Sequence, residues 1–290
     1  MRRYPLLLAA CISAGLLTGC AQGDRRAAMV DDLVAARITG RTIPPLTLTH
    51  GVFTLDEAYR VQDALTWQLT QQTDRVAGYK VAYATAASRR PRGLAEPLYG
   101  RLLTSMEVPD GGRIDLADFH SFAIELEVAF TIGRRIDRQM EDVEELKSHV
   151  KSVRAAFELP DNRFDTREAM RLLPDIIADG VGAHRFVLGP AKSPAGVDVD
   201  AVTATMRHDG KVVRRGEAGS VMGSPWNVLL WLANALTRRG YALHPGDVVL
   251  TGALDGPHSP PRDKAAGRYV GDCGPLGRVR CTVVGRGGAE

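Results

Sequence analysis

One segment constrains the fold of this chain more than any other. From Phe122 to Ile132 the residues alternate without a break, with Phe122, Ile124, Leu126, Val128, Phe130 and Ile132 on one face and Ala123, Glu125, Glu127, Ala129 and Thr131 on the other. A period of two is that of a β-strand, and an unbroken apolar face must pack into a core. The two glutamates point the same way, with their backbones roughly 6–7 Å apart. If their face is enclosed, the carboxylates repel each other, and either one takes up a proton or a cation sits between them. Hard divalent cations take oxygen ligands, and Mg2+ keeps waters to complete its shell. Glu158, near the end of the strand-like stretch Arg154–Leu159, can supply a third carboxylate. If the face is solvated instead, these are ordinary glutamates on a sheet edge.

Around that strand the chain reads as short strands and Gly-rich turns with helices at the edge, rather than as alternating βα units. Asp24–Ala36 predicts a modest helix that Gly40–Pro45 breaks. Thr54 and Glu57 have the spacing of a capping box. Leu55, Ala58, Val61, Leu65 and Leu69 then recur at helical spacing, so a second helix is expected to end near Gln72. Val76–Tyr83 predicts a strand that carries Lys80, and Arg89–Pro97 a basic surface loop. Glu141–Val153 predicts a helix; His184–Leu188, Val248–Leu250 and Arg278–Val284 predict strands. Asp209-Gly210 predicts a hairpin turn within Val202–Val213. Ser224-Pro225 has the chemistry of a helix start, with Trp226, Leu229, Leu230, Ala233 and Leu236 on the buried face and Gly240 as the stop.

The front end reads as an address. Arg2 and Arg3 precede the apolar stretch Pro5–Leu17, which ends in Leu17-Thr18-Gly19-Cys20. The stretch is short for the roughly 30 Å bilayer core, and small residues lead into the cut, as in an export signal. In the lipoprotein form of that signal residues 1–19 are removed and Cys20 takes the lipid. The protein then faces the periplasm from the bacterial cell envelope, although one lipid chain alone anchors only weakly. An uncleaved N-terminal helix is the alternative. The formal charge of +3 falls to about +1 without Arg2 and Arg3, a balance that calls for no nucleic-acid partner. Cys273 and Cys281 remain near the end of the fold, eight residues apart. In an oxidising compartment they can pair across a turn, or they are two buried thiols.

Further polar residues can complete a site beside the glutamates. Lys80 can neutralise oxyanion charge. Asp179, before a glycine, can orient water or a side chain. Thr251-Gly252 closes a strand where backbone can approach a ligand closely. His120, just before the carboxylate strand, is the histidine placed to carry a proton. No Gly-x-Ser-x-Gly elbow, P-loop, dinucleotide fingerprint or His-Glu-x-x-His occurs.

Taken in order, these pieces resemble the 2-keto-4-pentenoate hydratase group of the fumarylacetoacetate hydrolase superfamily. GYKVA at Gly78–Ala82 resembles its lysine strand, ELEVAF at Glu125–Phe130 its Glu-x-Glu strand, and AAFELPDNRF at Ala155–Phe164 the segment of its third glutamate. GSPWNVLLWLANAL at Gly223–Leu236, LHPGDVVLTGAL at Leu243–Leu254 and GPLGRVRCTV at Gly274–Val283 resemble its later helix, its substrate strand and its closing strand. The chain departs from the group at Leu98, where Asp is frequent, at Asp179-Gly180-Val181-Gly182, where Asp-Asn-Ala-Ser is frequent, and at Ser224, where His is usual. The resemblance implies an α+β fold, a mixed β-sheet roll with a small N-terminal helical region over residues 20–75 and a catalytic domain over 76–290. It implies Mg2+ or Mn2+ at Glu125, Glu127 and Glu158. Lys80 would contact the substrate or its enolate, Thr251 and Gly252 would bind the substrate, and Lys80, Asp179 and His120 would serve catalysis. The partner would be a small 2-oxo or 2-hydroxydienoic acid, and the protein a homo-oligomer. Three activities fit: hydration of the dienoate, a related decarboxylase or acylpyruvate-type hydrolase, and a non-catalytic lipoprotein that binds small acids.

Overall fold

The structure is a computed structural model that describes residues 10–71, 73–165 and 172–285, with side chains from residue 23 onward. Among the described residues, twelve strands run in chain order as β1 (Val76–Ala82), β2 (Leu98–Leu103), β3 (Glu107–Val108), β4 (Arg113–Asp115), β5 (Glu125–Ile132), β6 (Val150–Leu159), β7 (Arg185–Leu188), β8 (Thr203–His208), β9 (Lys211–Glu217), β10 (Val248–Leu250), β11 (Gly267–Asp272) and β12 (Arg278–Val284). The helices are α1 (Ala10–Thr39), α2 (Leu46–Thr49), α3 (Leu55–Leu69), α4 (Ala86–Arg89), α5 (Val143–Lys147), α6 (Leu173–Ala178) and α7 (Pro225–Arg238). No helix among the described residues is long and apolar enough to cross a membrane.

The alternating segment forms strand β5 from Glu125 onward, with Ile124 in an isolated bridge to His258 and Phe122 ahead of the strand, and β5 sits near the middle of a seven-stranded sheet of order β2-β1-β10-β5-β6-β7-β3. Most neighbours are antiparallel, while β1 with β10 and β3 with β7 are parallel, so the sheet is mixed. A second sheet of order β4-β12-β11-β8-β9 packs against it, while Tyr59 of α3 stacks on Tyr99 of β2 and Trp226 of α7 packs on Phe130 of β5. This is the α+β roll with N-terminal helices that the resemblance implied. Both faces of β5 are closed: the six apolar residues enter the core, and Glu127 on the other face is buried too. The solvated-edge alternative is therefore excluded.

Several local signals act as read. Thr54 caps α3, with Glu57 N–H donating to its hydroxyl at 3.2 Å and Thr54 N–H donating back to the Glu57 carboxylate at 2.8 Å. The Asp209-Gly210 turn joins β8 to β9 with both residues at positive φ, as a tight hairpin turn demands. Ser224 caps α7, whose Trp226 ring lies 4.5 Å from that of Phe130 on β5.

Two readings are corrected. The helix expected over Glu141–Val153 is only α5, Val143–Lys147, and Val150 onward is already β6. Val150, Val153 and Ala155 are taken by pairing with β5, and a full ladder of hydrogen bonds outweighs weak helix propensity. The cysteine pair is the second. Cys281 lies opposite Tyr269, whereas Cys273 follows Asp272, which lies opposite Arg278. The two are thus four positions apart along the ladder, roughly 13 Å, beyond the ~7 Å a disulfide spans. Both are free and buried, and burial pushes each thiol up to about 12.

Candidate metal centre and substrate cavity

Sheet order assembles the site. Strands β1, β10, β5 and β6 are successive neighbours, so Lys80 on β1, Gly252 just past β10, Glu125 and Glu127 on β5 and Glu158 on β6 converge. Glu125 and Glu158 are direct cross-strand partners. One carboxylate oxygen from each of Glu125, Glu127 and Glu158 lies within 4.8 Å of the others. Lys80 Nζ sits 2.9 Å from Glu158 Oε1 and donates to the Val181 carbonyl at 3.0 Å. Gly252 N–H donates to Glu127 Oε2 at 2.7 Å.

Three carboxylates against one ammonium leave a formal charge of −2 in a buried place. Burial, then the charge of Glu158, pushes Glu125 up to about 7. Burial, then Glu158 and Glu125, raises Glu127 well above the usual carboxylate range, and burial raises Glu158. Burial works against the Lys80 ammonium, but Glu158 and Glu125 outweigh it and hold its pKa above the usual value. Glu127 Oε1 and Glu158 Oε2 are buried with no hydrogen-bond partner among the described residues. Orphaned buried oxygens, a hard-oxygen donor set and an uncompensated double negative charge all fit a divalent cation.

A cavity of about 410 Å3 opens over this cluster, with Lys80 and Glu125 in its wall. Val81, Ala84, Phe164, Ile176 and Val181 make it largely apolar, and Ser121, Asp161, Asn162, Asp179 and Arg92 add polar groups. Two of its residues sit in strained backbone. Tyr83 and Val181 both have positive φ, at 57° and 56°, a conformation unfavourable for side chains of that bulk. Such strain collects at functional sites.

The structure brings most of the sequence-derived residues to this place, though not in equal roles. Asp179 lines the cavity, but both its carboxylate oxygens are paired, with Arg37 at 2.6 Å and Arg163 at 2.9 Å. His120 stands behind the wall. Its Nδ1 is 2.9 Å from Asp161 and its Nε2 3.0 Å from the Gly40 carbonyl, so it reaches the cavity through Asp161. Thr251 is buried with its hydroxyl donating to the Val128 carbonyl at 2.9 Å, and the adjacent Gly252 and Ala253 face the cavity. Leu98 is buried in β2, and the Ser224 hydroxyl donates to Asp200 at the head of α7. Asp161 and Arg37 went unassigned from sequence. Asp161 stands in the quoted AAFELPDNRF segment, three residues past Glu158, but nothing in its spacing singles it out; Arg37 lies far from every motif.

Comparison with known proteins agrees with this geometry. The fumarylacetoacetate (FAA) hydrolase C-terminal family matches residues 76–284. A 2-keto-4-pentenoate hydratase of Burkholderia vietnamiensis is 34% identical over 259 residues, 88% of this chain and 96% of that protein. A 4-oxalocrotonate decarboxylase of a Pseudomonas species is 32% identical over 218 residues, 75% of this chain and 83% of its own length. The structure of 4-oxalocrotonate decarboxylase from Pseudomonas putida G7, complexed with magnesium and adipate, superposes with a TM-score of 0.83 at 22% identity, over 90% of this chain and 98% of that one. The chain belongs to the fumarylacetoacetate hydrolase superfamily, in its 2-keto-4-pentenoate hydratase-like group.

Proposed function

We propose that this protein is a Mg2+- or Mn2+-dependent lyase that hydrates a 2-hydroxy-2,4-dienoate (2-oxo-4-enoate) to a 4-hydroxy-2-oxo acid. The observation that carries the reading is the Glu125, Glu127 and Glu158 cluster with Lys80 ion-paired to it, at the wall of a cavity large enough for a small acid. A divalent cation held by the three glutamates would supply the Lewis-acid charge that favours the enolate form of a 2-oxo acid.

The chain's own groups account for the rest. Lys80 is held by Glu158 and the Val181 carbonyl, so its ammonium is fixed where negative charge grows as the dienol loses its O–H proton. The distal carbon C5 then takes a proton, leaving a double bond conjugated to the C2 ketone, and water adds its oxygen to C4 and its hydrogen to C3. Asp161, with the His120 ring paired to it at 2.9 Å, is placed to move these protons. It faces the cavity, and the backbone N–H groups of His120 and Ser121, at 2.9 and 2.8 Å, and the His120 ring hold its carboxylate. The apolar walls limit competing water.

The test uses the full chain in mild detergent with Mg2+ or Mn2+, following the ultraviolet absorbance of freshly generated 2-hydroxypenta-2,4-dienoate and weighing the product. A metal-dependent gain of one water, abolished in Glu127→Ala, is the expected result. One observation favours the sister activity: Arg92 lines the cavity, its guanidinium 4.8 Å from the Tyr83 ring centroid, and can meet a second carboxylate. Release of carbon dioxide from a 2-oxo enedioate would move the assignment to a decarboxylase, and metal binding with no turnover of any 2-oxo acid would make the protein a binder.

We propose in addition that the enzyme is a lipid-anchored homo-oligomer on the periplasmic face of the cell envelope. The motif ending at Cys20 supports the anchor. Loss of palmitate labelling and of membrane fractionation in Cys20→Ser is the expected outcome in a bacterial host.

A further inference from the structure

The turn that aims Lys80 is strained. Gly180, Val181 and Gly182 all have positive φ, at 73°, 56° and 72°, three in succession. Glycine is at ease there, but a β-branched valine is not, and such a conformation persists only where neighbours over-determine it. The Val181 carbonyl so presented receives Lys80 Nζ. What pins the start of the turn comes from far away in sequence. Arg37, near the C-terminal end of α1, places Nη1 2.6 Å from Asp179 Oδ1 and donates from Nη2 to the Asp179 backbone carbonyl at 3.1 Å. Arg163 holds the other carboxylate oxygen at 2.9 Å. Asp179 and Arg163 are buried and Arg37 is partly buried, and the net charge of the three is positive. Burial and the nearby Arg163 lower the Arg37 pKa to about 10, which still leaves it charged at neutral pH. The planar fork of the guanidinium meets the carboxylate with Nη1 and the carbonyl with Nη2, two nitrogens in a fixed mutual geometry that a single ammonium nitrogen does not provide.

We propose that Arg37 is a positioning residue of the active site: by clamping Asp179 at both its carboxylate and its carbonyl, it holds the strained Gly180–Gly182 turn in the one arrangement that orients Lys80. The N-terminal helix then supports the active-site wall from behind through Asp179, and the segment that follows Cys20 delivers a residue that positions the chemistry.

The consequence for turnover rests on the hydratase-like reading, so the test reads binding as well. Oxalate, a non-reacting mimic of an enolised 2-oxo acid, is titrated into the full chain loaded with Mn2+, and Mn2+ affinity is measured separately by electron paramagnetic resonance. In Arg37→Ala oxalate affinity is expected to fall at least tenfold while Mn2+ affinity stays within twofold, and added ethylguanidinium is expected to restore much of the loss. Where Arg37→Ala does not fold, Arg37→Lys is read in the same way and shows a smaller but clear loss. Unchanged oxalate affinity in either variant, whatever the melting temperature, would overturn the proposal, as would a parallel loss of Mn2+ and oxalate. Absence of turnover in the wild-type chain would instead count against the hydratase reading and leave the binding result to stand alone.

Discussion

Residue type alone singles out Glu125 and Glu127, because two acids on a strand whose other face is wholly apolar need an explanation. What a residue does, however, depends on its partners. Asp179 reads in sequence as an acid before a glycine that can orient water or a side chain; in the structure it is ion-paired with Arg37 and Arg163 and suits orientation better than proton transfer. His120 was the histidine to watch, and it acts on the cavity only through Asp161. The cysteines make the same point by a different route. A spacing of eight fits a bridge across a turn, but register puts Cys281 opposite Tyr269 and leaves Cys273 beyond the end of β11. Both thiols are buried with raised pKa, so neither is a ready thiolate. Iodoacetamide is therefore expected to leave Cys273 and Cys281 unmodified in the native protein and to alkylate both in urea without any reductant. Mass spectrometry of the peptides checks this, and a reductant requirement would show that they pair.

Elements with their own local chemistry were legible at a distance. The capping box of α3, the Ser-Pro start of α7 and the Asp-Gly hairpin satisfy backbone groups within a few residues, so no tertiary contact is needed to announce them. Thr54→Ala removes one side of the α3 box and is expected to lower stability by ~1 kcal/mol. Thr54 is not among the residues lining the cavity, so kcat should stay within about twofold; urea unfolding and a turnover assay read the two effects. Strands β2 and β11 lack such signals. Strand β2 has a glycine in its interior, which argues against a strand, yet a Cβ at Gly100 would lie 1.9 Å from the Gly180 carbonyl oxygen. That close approach seats the Asp179–Gly182 turn beside β1 and so beside Lys80. Strand β11, Gly267–Asp272, has few apolar residues and exists because β12 and β8 pair with it on either side. The converse holds after α5, where helix-compatible residues up to Val153 belong to β6 because β5 pairs with them.

At the scale of the whole molecule, the buried carboxylates tie stability to pH and to metal. Glu125 rises from its ordinary value of 4.5 to about 7 in the folded protein, and Glu127 and Glu158 are also raised. A raised carboxylate means that the folded state binds more protons than the unfolded one between those values, so stability falls as pH rises through that window. The penalty is absent below about 4.5 and complete above about 7 for Glu125. The metal-free chain is expected to lose thermal stability from pH 4.5 to 7 relative to Glu125→Gln, and saturating Mg2+ to remove most of that difference at pH 7 by balancing the charge; thermal melts with and without chelator measure it. The sequence by itself determined a strand-dominated fold with helices at its edge and the strand that carries two glutamates, because alternation, caps and turns are encoded over a few residues; the α+β roll and the roles of Glu158 and Lys80 came with the family resemblance. Only the tertiary structure decided that the glutamate face is closed, that Glu158 stands opposite Glu125, that the cysteines are apart and that Arg37 reaches Asp179. Those facts depend on strand order, register and long-range packing, which bring residues together across many tens of positions without leaving a local trace.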